Sequence, residues 1–221
     1  MLRRADVARG LDTSGDGITL SDGGGLTHDT GSATERKRAL RSTLIAERGR
    51  LSPDERGERS RRIAARAARL PLVEQAALVA LYAPLGTEVD ALELARLLGP
   101  VRAVYPRSVP GSRLLEFARC AARDLVRGPL GAREPPASAA AVARESVGCV
   151  VLPGIGFSTD GHRLGRGGGY YDSTLRDMPG ARRVGLAFEL QLLDRLPLES
   201  HDIRLDAIVT ESRTILVPGA G

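Results

Sequence analysis

Residues 153–172 read PGIGFSTDGHRLGRGGGYYD, and this stretch decides how the rest of the chain is interpreted. An apolar run, CVVLPGIGF, leads into it, and a run with a helical pattern, YYDSTLRDM, follows. The order predicts a strand, a long glycine-rich loop and the start of a helix. Backbone N–H groups of such a loop can close on an anion, and a helix N-terminus adds the positive end of its dipole. Since Arg163 and Arg166 add planar guanidinium groups suited to phosphate or carboxylate, we expect a phosphate site here.

The composition is that of one globular domain. The chain has 221 residues, of which 42% are hydrophobic and 27% charged, enough for a single sizeable core. No run reaches the roughly 18 apolar residues of a membrane span, and the first residues lack the apolar segment of a secretory signal. Cys120 and Cys149 show no spacing typical of a metal site or a disulfide framework. We therefore expect a reduced, cytoplasmic protein without a membrane partner, and a monomer.

The net charge of +5 raises the possibility of a nucleic-acid partner. However, the basic residues are spread along the chain beside acidic ones, as in SPDERGERSRR, and no basic stretch is interleaved with aromatic residues for base stacking. An anionic small-molecule substrate explains the excess equally well, so we expect no nucleic-acid partner. Lys37 is the only lysine in the chain.

The first part of the chain differs from the remainder. Residues 1–33 are rich in Gly, Asp, Ser and Thr and show little periodicity, which predicts a disordered N-terminal extension. Residues 34–221 are predicted to form a single domain.

Two helices are predicted at the start of this domain. Thr34 is the expected cap of the first, which runs through ERKRALRSTLIAERGR with Leu40, Leu44 and Ile45 on one face. The second spans 52–70, with a serine cap, a proline at its first position and acidic residues in its first turn. Its basic face is expected to be solvated.

Short apolar runs then alternate with helical segments. Strands are predicted over AALVALYAP, VRAVYP, LLEFARC, GCVVLPG, RRVGLAFE and DAIVTES, helices over ALELARLL and AAAVARES, and a loop over RDLVRGPLGAREPP. The pattern predicts an α/β fold, a three-layer, Rossmann-like α/β/α sandwich with a mainly parallel central sheet. Ligands bind at the carboxyl ends of such strands. Residues 82–84, 106–107, 153–154 and 188–189 should therefore converge with the glycine-rich loop.

The loop matches none of the common nucleotide motifs. The chain has no Walker A sequence, no G-x-G-x-x-G in the right place after a strand, and no G-x-S-x-G elbow. What remains is Arg163-x-x-Arg166 beside bare glycine backbone, followed by Tyr170, Tyr171 and Asp172. A carboxylate beside bound phosphate is a natural Mg²⁺ ligand, although Asp172 also suits a first helical turn simply as a negative charge.

The glycine-rich stretch closely resembles the signature of the 5-formyltetrahydrofolate cyclo-ligases, also called methenyltetrahydrofolate synthetases. Further landmarks of that family follow in order, namely KRALR, YAPLGTEVD, YPR, GPLGAREP and HDIRLDAIVTE. The resemblance implies ATP- and Mg²⁺-dependent closure of 5-formyltetrahydrofolate to 5,10-methenyltetrahydrofolate, with ADP and phosphate as the other products. It also implies that the formyl oxygen attacks the γ-phosphate, that N10 then attacks the formyl carbon, and that phosphate leaves.

The resemblance assigns roles to residues of this chain. It places Arg166 and Arg163 at the reacting phosphate, Glu88 at the pterin, Tyr170 and Leu130 beside the folate, and Asp172 and Asp202 on Mg²⁺, with Asp206 near enough in sequence to be confused with Asp202. Folate contacts are further implied for Arg166, Gly167, Gly168 and Gly169. ATP contacts are implied for Lys37, Arg41, Arg163, Leu164, Gly165, Arg166, Gly167, Gly168, Gly169, Tyr170 and Tyr171.

One position departs from the family pattern. Some family members carry Lys where this chain has Gly168, so one phosphate-binding cation is missing or replaced, which we expect to tune affinity and not to abolish activity. Two other functions stay open, a folate-binding protein of the same fold with little or no turnover and a basic RNA-associated protein.

Overall fold

The computed structural model describes residues 18–20, 26–28, 32–199 and 202–219. Before residue 32 it describes only β1 (Ile18–Leu20) and β2 (Leu26–His28), which pair antiparallel. The predicted disorder of residues 1–33 thus falls mostly outside the described residues and stays a prediction, as does the division into an extension and one domain.

Five α-helices lie in the described part of the chain. They are α1 (Ala33–Gly49), α2 (Pro53–Ala68), α3 (Pro71–Glu74), α4 (Leu92–Leu98) and α5 (Tyr170–Arg176), with single 3-10 turns at Ala122–Asp124, Arg144–Ser146 and Glu189–Gln191. Ser32, not Thr34, caps α1, because its hydroxyl accepts from the backbone of Glu35 while the Glu35 carboxylate accepts from the backbone of Ser32. No helix among the described residues is both long and apolar enough to cross a membrane.

The remaining strands are short. They are β3 (Val79–Ala80), β4 (Ala103–Ser108), β5 (Leu115–Arg119), β6 (Val126–Arg127), β7 (Arg133–Glu134), β8 (Ala140–Val142), β9 (Cys149–Leu152), β10 (Gly156–Ser158), β11 (Arg163–Leu164), β12 (Arg182–Leu186), β13 (Leu192–Leu193), β14 (Ala207–Val209) and β15 (Thr214–Leu216).

Eight of these strands form the central sheet, in the order β15-β14-β12-β9-β3-β4-β5-β8. The five strands from β14 to β4 pair in parallel, while β15, β5 and β8 pair antiparallel at the two edges. At the centre, Val150 of β9 lies opposite Ala80 on one side and Arg183 on the other. All six predicted strands lie in this sheet, which confirms a mainly parallel α/β fold.

Successive side chains of the sheet pack on opposite faces. On one face Val79 and Val151 belong to the core with Ile63 of α2 and Leu94 of α4. On the other face Ala80 and Val150 belong to a second cluster with Leu175 of α5. The sheet is therefore the middle of the three predicted layers.

Part of the third layer is a small sheet, which the sequence did not predict. Strands β11, β10 and β13 pair in that order, so Arg163 lies on a strand and not in a loop. The ring of Phe157 from β10 packs on the central sheet at Gly185, where a Cβ would come within 2.6 Å of the ring. The absence of a side chain at Gly185 thus lets the two sheets approach each other.

Three other predictions need correction. The segment AAAVARES was predicted to be helical, but Ala140–Val142 pairs with β5, because strand pairing outweighs the helix propensity of alanine. The loop before it contains the hairpin of β6 and β7. The basic face of α2 is not simply solvated, because Arg59 and Arg62 contact the side chain and the backbone carbonyl of Glu211.

Candidate active site

A cavity of about 660 Å³ opens at the carboxyl ends of β3, β4 and β9. Every residue to which the sequence assigned a role lines it, namely Lys37, Arg41, Glu88, Leu130, Arg163, Leu164, Gly165, Arg166, Gly167, Gly168, Gly169, Tyr170, Tyr171, Asp172 and Asp202. Residues more than 150 positions apart in the chain therefore meet in one space. Asp206 lies elsewhere, because its buried carboxylate accepts from the side chain of Arg182 and the backbone of Arg183.

The strand ends contribute most of the predicted walls. Tyr82, Ala83, Pro106, Pro153 and Gly154 line the cavity, as expected from the topology.

Residues 188–189 do not line it, and that part of the prediction is wrong. The chain turns there into the 3-10 segment, and the Glu189 carboxylate accepts from Thr210 and contacts Arg213 at 3.0 Å.

The cavity is not a simple cationic pocket. Five basic and five acidic side chains line it, namely Lys37, Arg41, Arg133, Arg163 and Arg166 against Glu88, Glu134, Asp172, Glu199 and Asp202. Three of the basic side chains form ion pairs with acidic ones of the same cavity. An incoming phosphate must therefore compete with protein carboxylates for these cations.

The first pair joins the glycine-rich loop to the loop after β3. Arg166 Nε lies 3.1 Å from Glu88 Oε1, and its Nη2 donates to the Leu85 carbonyl at 3.3 Å. The Glu88 side chain is 6% exposed, whereas that of Arg166 is 48% exposed. The Glu88 carboxylate is therefore enclosed by protein, whereas the half-exposed Arg166 guanidinium has room to change position.

The second pair lies at the start of α5. Arg163 Nη2 donates to Asp172 Oδ1 at 2.7 Å, and the Arg163 guanidinium carbon lies 5.5 Å from the centre of the Tyr171 ring. The buried Nε of Arg163 has no hydrogen-bond partner among the described residues. Asp172 and Tyr171 thus hold the Arg163 guanidinium in place, with its Nε enclosed by protein.

The third group surrounds the only lysine. Lys37 Nζ lies 2.8 Å from Asp202 Oδ2 and 3.0 Å from Glu199 Oε2, and its side chain is 7% exposed. Burial lowers the pKa of the ammonium group, but the hydrogen bonds to the two carboxylates outweigh burial and raise the pKa above its usual value. Lys37 is therefore a fixed positive charge at neutral pH.

Arg41 supports the glycine-rich loop directly. Its Nε donates to the Gly165 carbonyl at 2.9 Å, and its guanidinium would lie 3.7 Å from a Cβ at Gly167. Gly167 and Gly169 have φ angles of +95° and +71°, a left-handed region that favours glycine. A Cβ at Gly168 would lie 3.0 Å from the Tyr170 ring, so a side chain there must displace that ring slightly.

Sequence reasoning assigned Lys37 and Arg41 of α1 to the site but missed Arg48 on the same inward face. Lys37, Arg41, Leu44 and Arg48 recur at helical spacing on the face toward the protein, whereas Ile45, predicted to share the apolar face, is 41% exposed. The clue was the spacing of the charged residues, which the search for apolar periodicity passed over.

Arg48 connects two loops that line the site. It is buried, its Nε donates to Thr87 Oγ1 at 2.9 Å, and its Nη1 donates to the Gly154 carbonyl at 3.2 Å. Burial lowers the pKa of its guanidinium, while the charge of nearby Glu88 acts in the opposite direction. Arg48 thus ties the loop that carries Glu88 to the end of β9.

Sequence reasoning also missed Glu199, the second acidic partner of Lys37.

The acidic residues fit a magnesium ion that is shared with phosphate. No group of three or more His, Cys, Asp or Glu side chains suited to a metal exists in the described ranges. Mg²⁺ needs fewer, since it uses one or two carboxylates and completes its shell with water and phosphate oxygens. Asp172 and Asp202 line the same cavity, and the bond to Arg163 uses only one oxygen of Asp172. The donor set therefore suits a hard cation that arrives with a nucleotide.

Comparison with known proteins was made by sequence first. Residues 33–211 match the model of the 5-formyltetrahydrofolate cyclo-ligase family. The chain is 33% identical over 178 residues to the 5-formyltetrahydrofolate cyclo-ligase of Escherichia coli, and the alignment covers 77% of this chain and 98% of that protein. It is 30% identical over 150 residues to the Mycolicibacterium smegmatis protein of the same name, which covers 62% and 75%.

Solved structures agree in fold. The NMR structure of Aquifex aeolicus 5,10-methenyltetrahydrofolate synthetase superposes with a TM-score of 0.70 at 30% identity, covering 82% of this chain and 93% of that one. The Mycoplasma pneumoniae 5,10-methenyltetrahydrofolate synthetase superposes with a TM-score of 0.63 at 26% identity, covering 79% and 98%. Both sequence and fold are thus similar over most of the described chain.

Proposed function

Because the chain belongs to the 5-formyltetrahydrofolate cyclo-ligase family, we propose that it converts 5-formyltetrahydrofolate to 5,10-methenyltetrahydrofolate with ATP as co-substrate and Mg²⁺ as cofactor. One observation carries the proposal. Arg166, suited to a reacting phosphate, and Glu88, suited to a pterin, are in contact at 3.1 Å in one cavity. A site that must bring a phosphate to a folate needs these two kinds of group side by side.

The nucleotide phosphates bind the glycine-rich loop and its cations. Residues 165–169 are all glycine except Arg166. Three cations line the cavity with them, namely Lys37, Arg41 and Arg163. Their charges neutralise a polyphosphate, and the open backbone allows N–H groups to approach it. Arg41, which lies against Gly167, provides a cation near the place where some family members have Lys at Gly168.

Asp172 and Asp202 hold the magnesium ion in this proposal. The bound ion neutralises charge on the nucleotide phosphates and orients them for transfer. Binding requires Asp172 to share its carboxylate with Arg163, and Asp202 to share its carboxylate with Lys37. Both carboxylates are thus held in place by neighbouring cations.

The folate lies on the other side of Arg166. The Glu88 carboxylate accepts hydrogen bonds from the 2-amino group and N3–H of the pterin, a pairing that matches acceptors with donors. Its Oε2 already accepts from the Leu85 backbone at 3.0 Å, which fixes its orientation. Tyr170 and Leu130 provide apolar walls for the rest of the substrate.

The chemistry proceeds in two displacements. The formyl oxygen on N5 attacks the γ-phosphorus of ATP, and the bond from that phosphorus to ADP breaks. N10 then attacks the activated formyl carbon and loses its proton, and the bond from that carbon to the phosphorylated oxygen breaks to release phosphate. The former formyl oxygen therefore leaves in the inorganic phosphate, and N5 and N10 share the carbon.

The protein contributes positioning and charge to these steps. Arg166 lies between the proposed phosphate and pterin sites, where its guanidinium stabilises negative charge on the transferred group. Arg163, which Asp172 holds in place, adds a second guanidinium charge beside the phosphate. The reaction needs no nucleophile from the protein.

The test is direct. Mixing the protein with 5-formyltetrahydrofolate, Mg²⁺ and ATP should produce the absorbance of the methenyl product, and omitting ATP should abolish it. Folate binding without an ATP-dependent product would instead indicate the binding protein without turnover. Salt-sensitive binding of RNA without folate binding would indicate the RNA-associated protein.

We also place the enzyme in the cytoplasm. Cys120 and Cys149 are both unpaired, and Cys149 is buried in β9, as expected in a reducing compartment.

A further inference from the structure

A second cavity, of about 360 Å³, opens beside the main one. Its walls are residues 108–113, which include the turn between β4 and β5, together with Pro129, Leu130 and Tyr170. Ser108, Leu130 and Tyr170 line both cavities, so the two spaces meet along these three side chains. A ligand that lies against Leu130 and Tyr170 in the main cavity therefore has the second cavity next to it.

Hydrogen bonds hold the walls of this side cavity in place. The backbone N–H and the hydroxyl of Ser108 donate to Glu134 Oε2 at 3.0 and 2.8 Å. The hydroxyl of Thr174 accepts from the Leu115 backbone at 2.8 Å and donates to the Tyr170 carbonyl at 2.8 Å. The turn after β4 and the start of α5 are thus fixed to the rest of the fold, and the side cavity is preformed.

The chemistry of the side cavity is apolar with one charge. Val109, Pro110, Pro129 and Leu130 present hydrocarbon, and Arg113 is the basic residue of the set. The Arg113 side chain is exposed and forms no ion pair or hydrogen bond with any described residue. It differs in this respect from Lys37, Arg163 and Arg166 of the main cavity, each of which already has a carboxylate partner.

We infer that the side cavity binds the aminobenzoyl-glutamate part of the folate, with the aromatic ring between Leu130 and Tyr170 and a glutamate carboxylate on Arg113. The inference rests on the proposed function, which places the pterin at Glu88. A folate continues from its pterin into a flat aromatic ring and then into carboxylates. This order of groups matches the order of the walls, from two apolar side chains to an arginine without a partner.

The test compares 5-formyltetrahydrofolate with the primary amide of 5-formyltetrahydropteroate, which lacks the glutamate and carries no carboxylate. For Arg113→Ala we expect the KM for the first to rise about three- to tenfold, the range for loss of a partly exposed charge-assisted bond. The KM for the second and for ATP should stay the same, and kcat should change less than about twofold, since the reacting atoms are untouched. Arg113→Lys should recover part of the loss.

Matched controls separate this role from a general effect. Arg61→Ala removes an exposed arginine of α2 outside both cavities and should leave both KM values unchanged. Raising the ionic strength should raise the KM of the wild type for the glutamate-bearing substrate and have less effect in Arg113→Ala.

Two results would overturn the inference. One is an equal change in KM for both substrates, and the other is no change for either. Calorimetric Kd values for the two folates give the same comparison without turnover. Absence of product from either folate in the wild type would contradict the proposed function, whereas product with no dependence on Arg113 would contradict the side cavity alone.

Discussion

Arg166 Nε and Glu88 Oε1 lie 3.1 Å apart, so the proposed phosphate ligand and the proposed pterin ligand neutralise each other in this structure. Each substrate must therefore break the same ion pair. A phosphate that takes Arg166 leaves Glu88 available to the pterin, and a pterin that takes Glu88 leaves Arg166 available to the phosphate. The two substrates should bind with positive coupling.

Glu88→Gln tests this coupling, because it should strengthen nucleotide binding and weaken folate binding. Removal of the charge weakens the hold on Arg166, so a non-hydrolysable ATP analogue with Mg²⁺ should bind about two- to fivefold tighter in the absence of folate. Folate binding should weaken, because the pterin loses a charged acceptor. Calorimetry measures both Kd values, and Glu58→Gln, on the exposed face of α2, is the matched control. Weaker nucleotide binding in Glu88→Gln would contradict the coupling.

Arg166→Ala should lower kcat strongly while the protein stays folded. The side chain is 48% exposed, so its removal leaves no buried cavity, but it removes the charge proposed to stabilise the transferred phosphate. We expect a loss of about 10²–10³-fold in kcat, with a smaller change in the nucleotide Kd. Stopped-flow absorbance measures the rate, and Arg61→Ala is the control. Turnover near the wild-type value would remove Arg166 from the reaction.

Asp172→Asn should raise the Mg²⁺ requirement. The carboxylate is the proposed metal ligand and also the partner of Arg163, so its neutralisation weakens metal binding and releases a guanidinium. We expect the half-saturating Mg²⁺ concentration to rise at least about tenfold, and chelation of Mg²⁺ to abolish turnover in the wild type. Asp177→Asn, at the other end of the same helix and outside the cavity, controls for loss of charge. An unchanged Mg²⁺ dependence in Asp172→Asn would exclude it as a ligand.

Three tyrosines, the buried Tyr82 and Tyr105 and the half-buried Tyr171, should make the fold sensitive to alkali. Burial raises the pKa of Tyr82 and Tyr171 well above the usual value and that of Tyr105 to about 12. A raised pKa in the folded chain means that the unfolded chain loses these protons first, so stability is unaffected below about pH 10 and falls as the pH rises further.

Absorbance of phenolate near 295 nm checks this expectation. At about pH 11 the denatured chain should show nearly full ionisation, whereas the folded chain should show fewer than half of its four tyrosines ionised. Ionisation of three or more at about pH 10 in the folded protein would contradict the burial of these rings.

The sequence predicted which residues share the cavity better than it predicted the elements that carry them. Charged and glycine residues with a fixed spacing marked the cavity, and the apolar runs marked the strands of the central sheet. Arg163 was assigned to a loop, because glycines on both sides hid the pairing of β10 with β11. The role of Arg48 depends on Thr87 and Gly154, whose positions only the tertiary fold determines. The sequence did not predict the short β8, because its alanines favour a helix locally. Pairing with β5 outweighs that local preference in the folded chain.

The pairing of cations with carboxylates also lay beyond sequence reasoning. Arginines beside glycines indicated a phosphate site, but nothing in the sequence placed Glu199 and Asp202 on Lys37. Such pairs join residues more than 160 positions apart, and only the tertiary fold brings Glu199 and Asp202 to α1. Their consequence, that substrates exchange partners with the protein, follows only from the distances.

The transfer of phosphate to the formyl oxygen is the central claim, and an isotope measurement tests it most directly. 5-Formyltetrahydrofolate labelled with ¹⁸O in its formyl group should be converted with Mg²⁺ and unlabelled ATP, and the released phosphate analysed by mass spectrometry. The account predicts one ¹⁸O atom in each phosphate formed. Unlabelled phosphate released together with the methenyl product would contradict it.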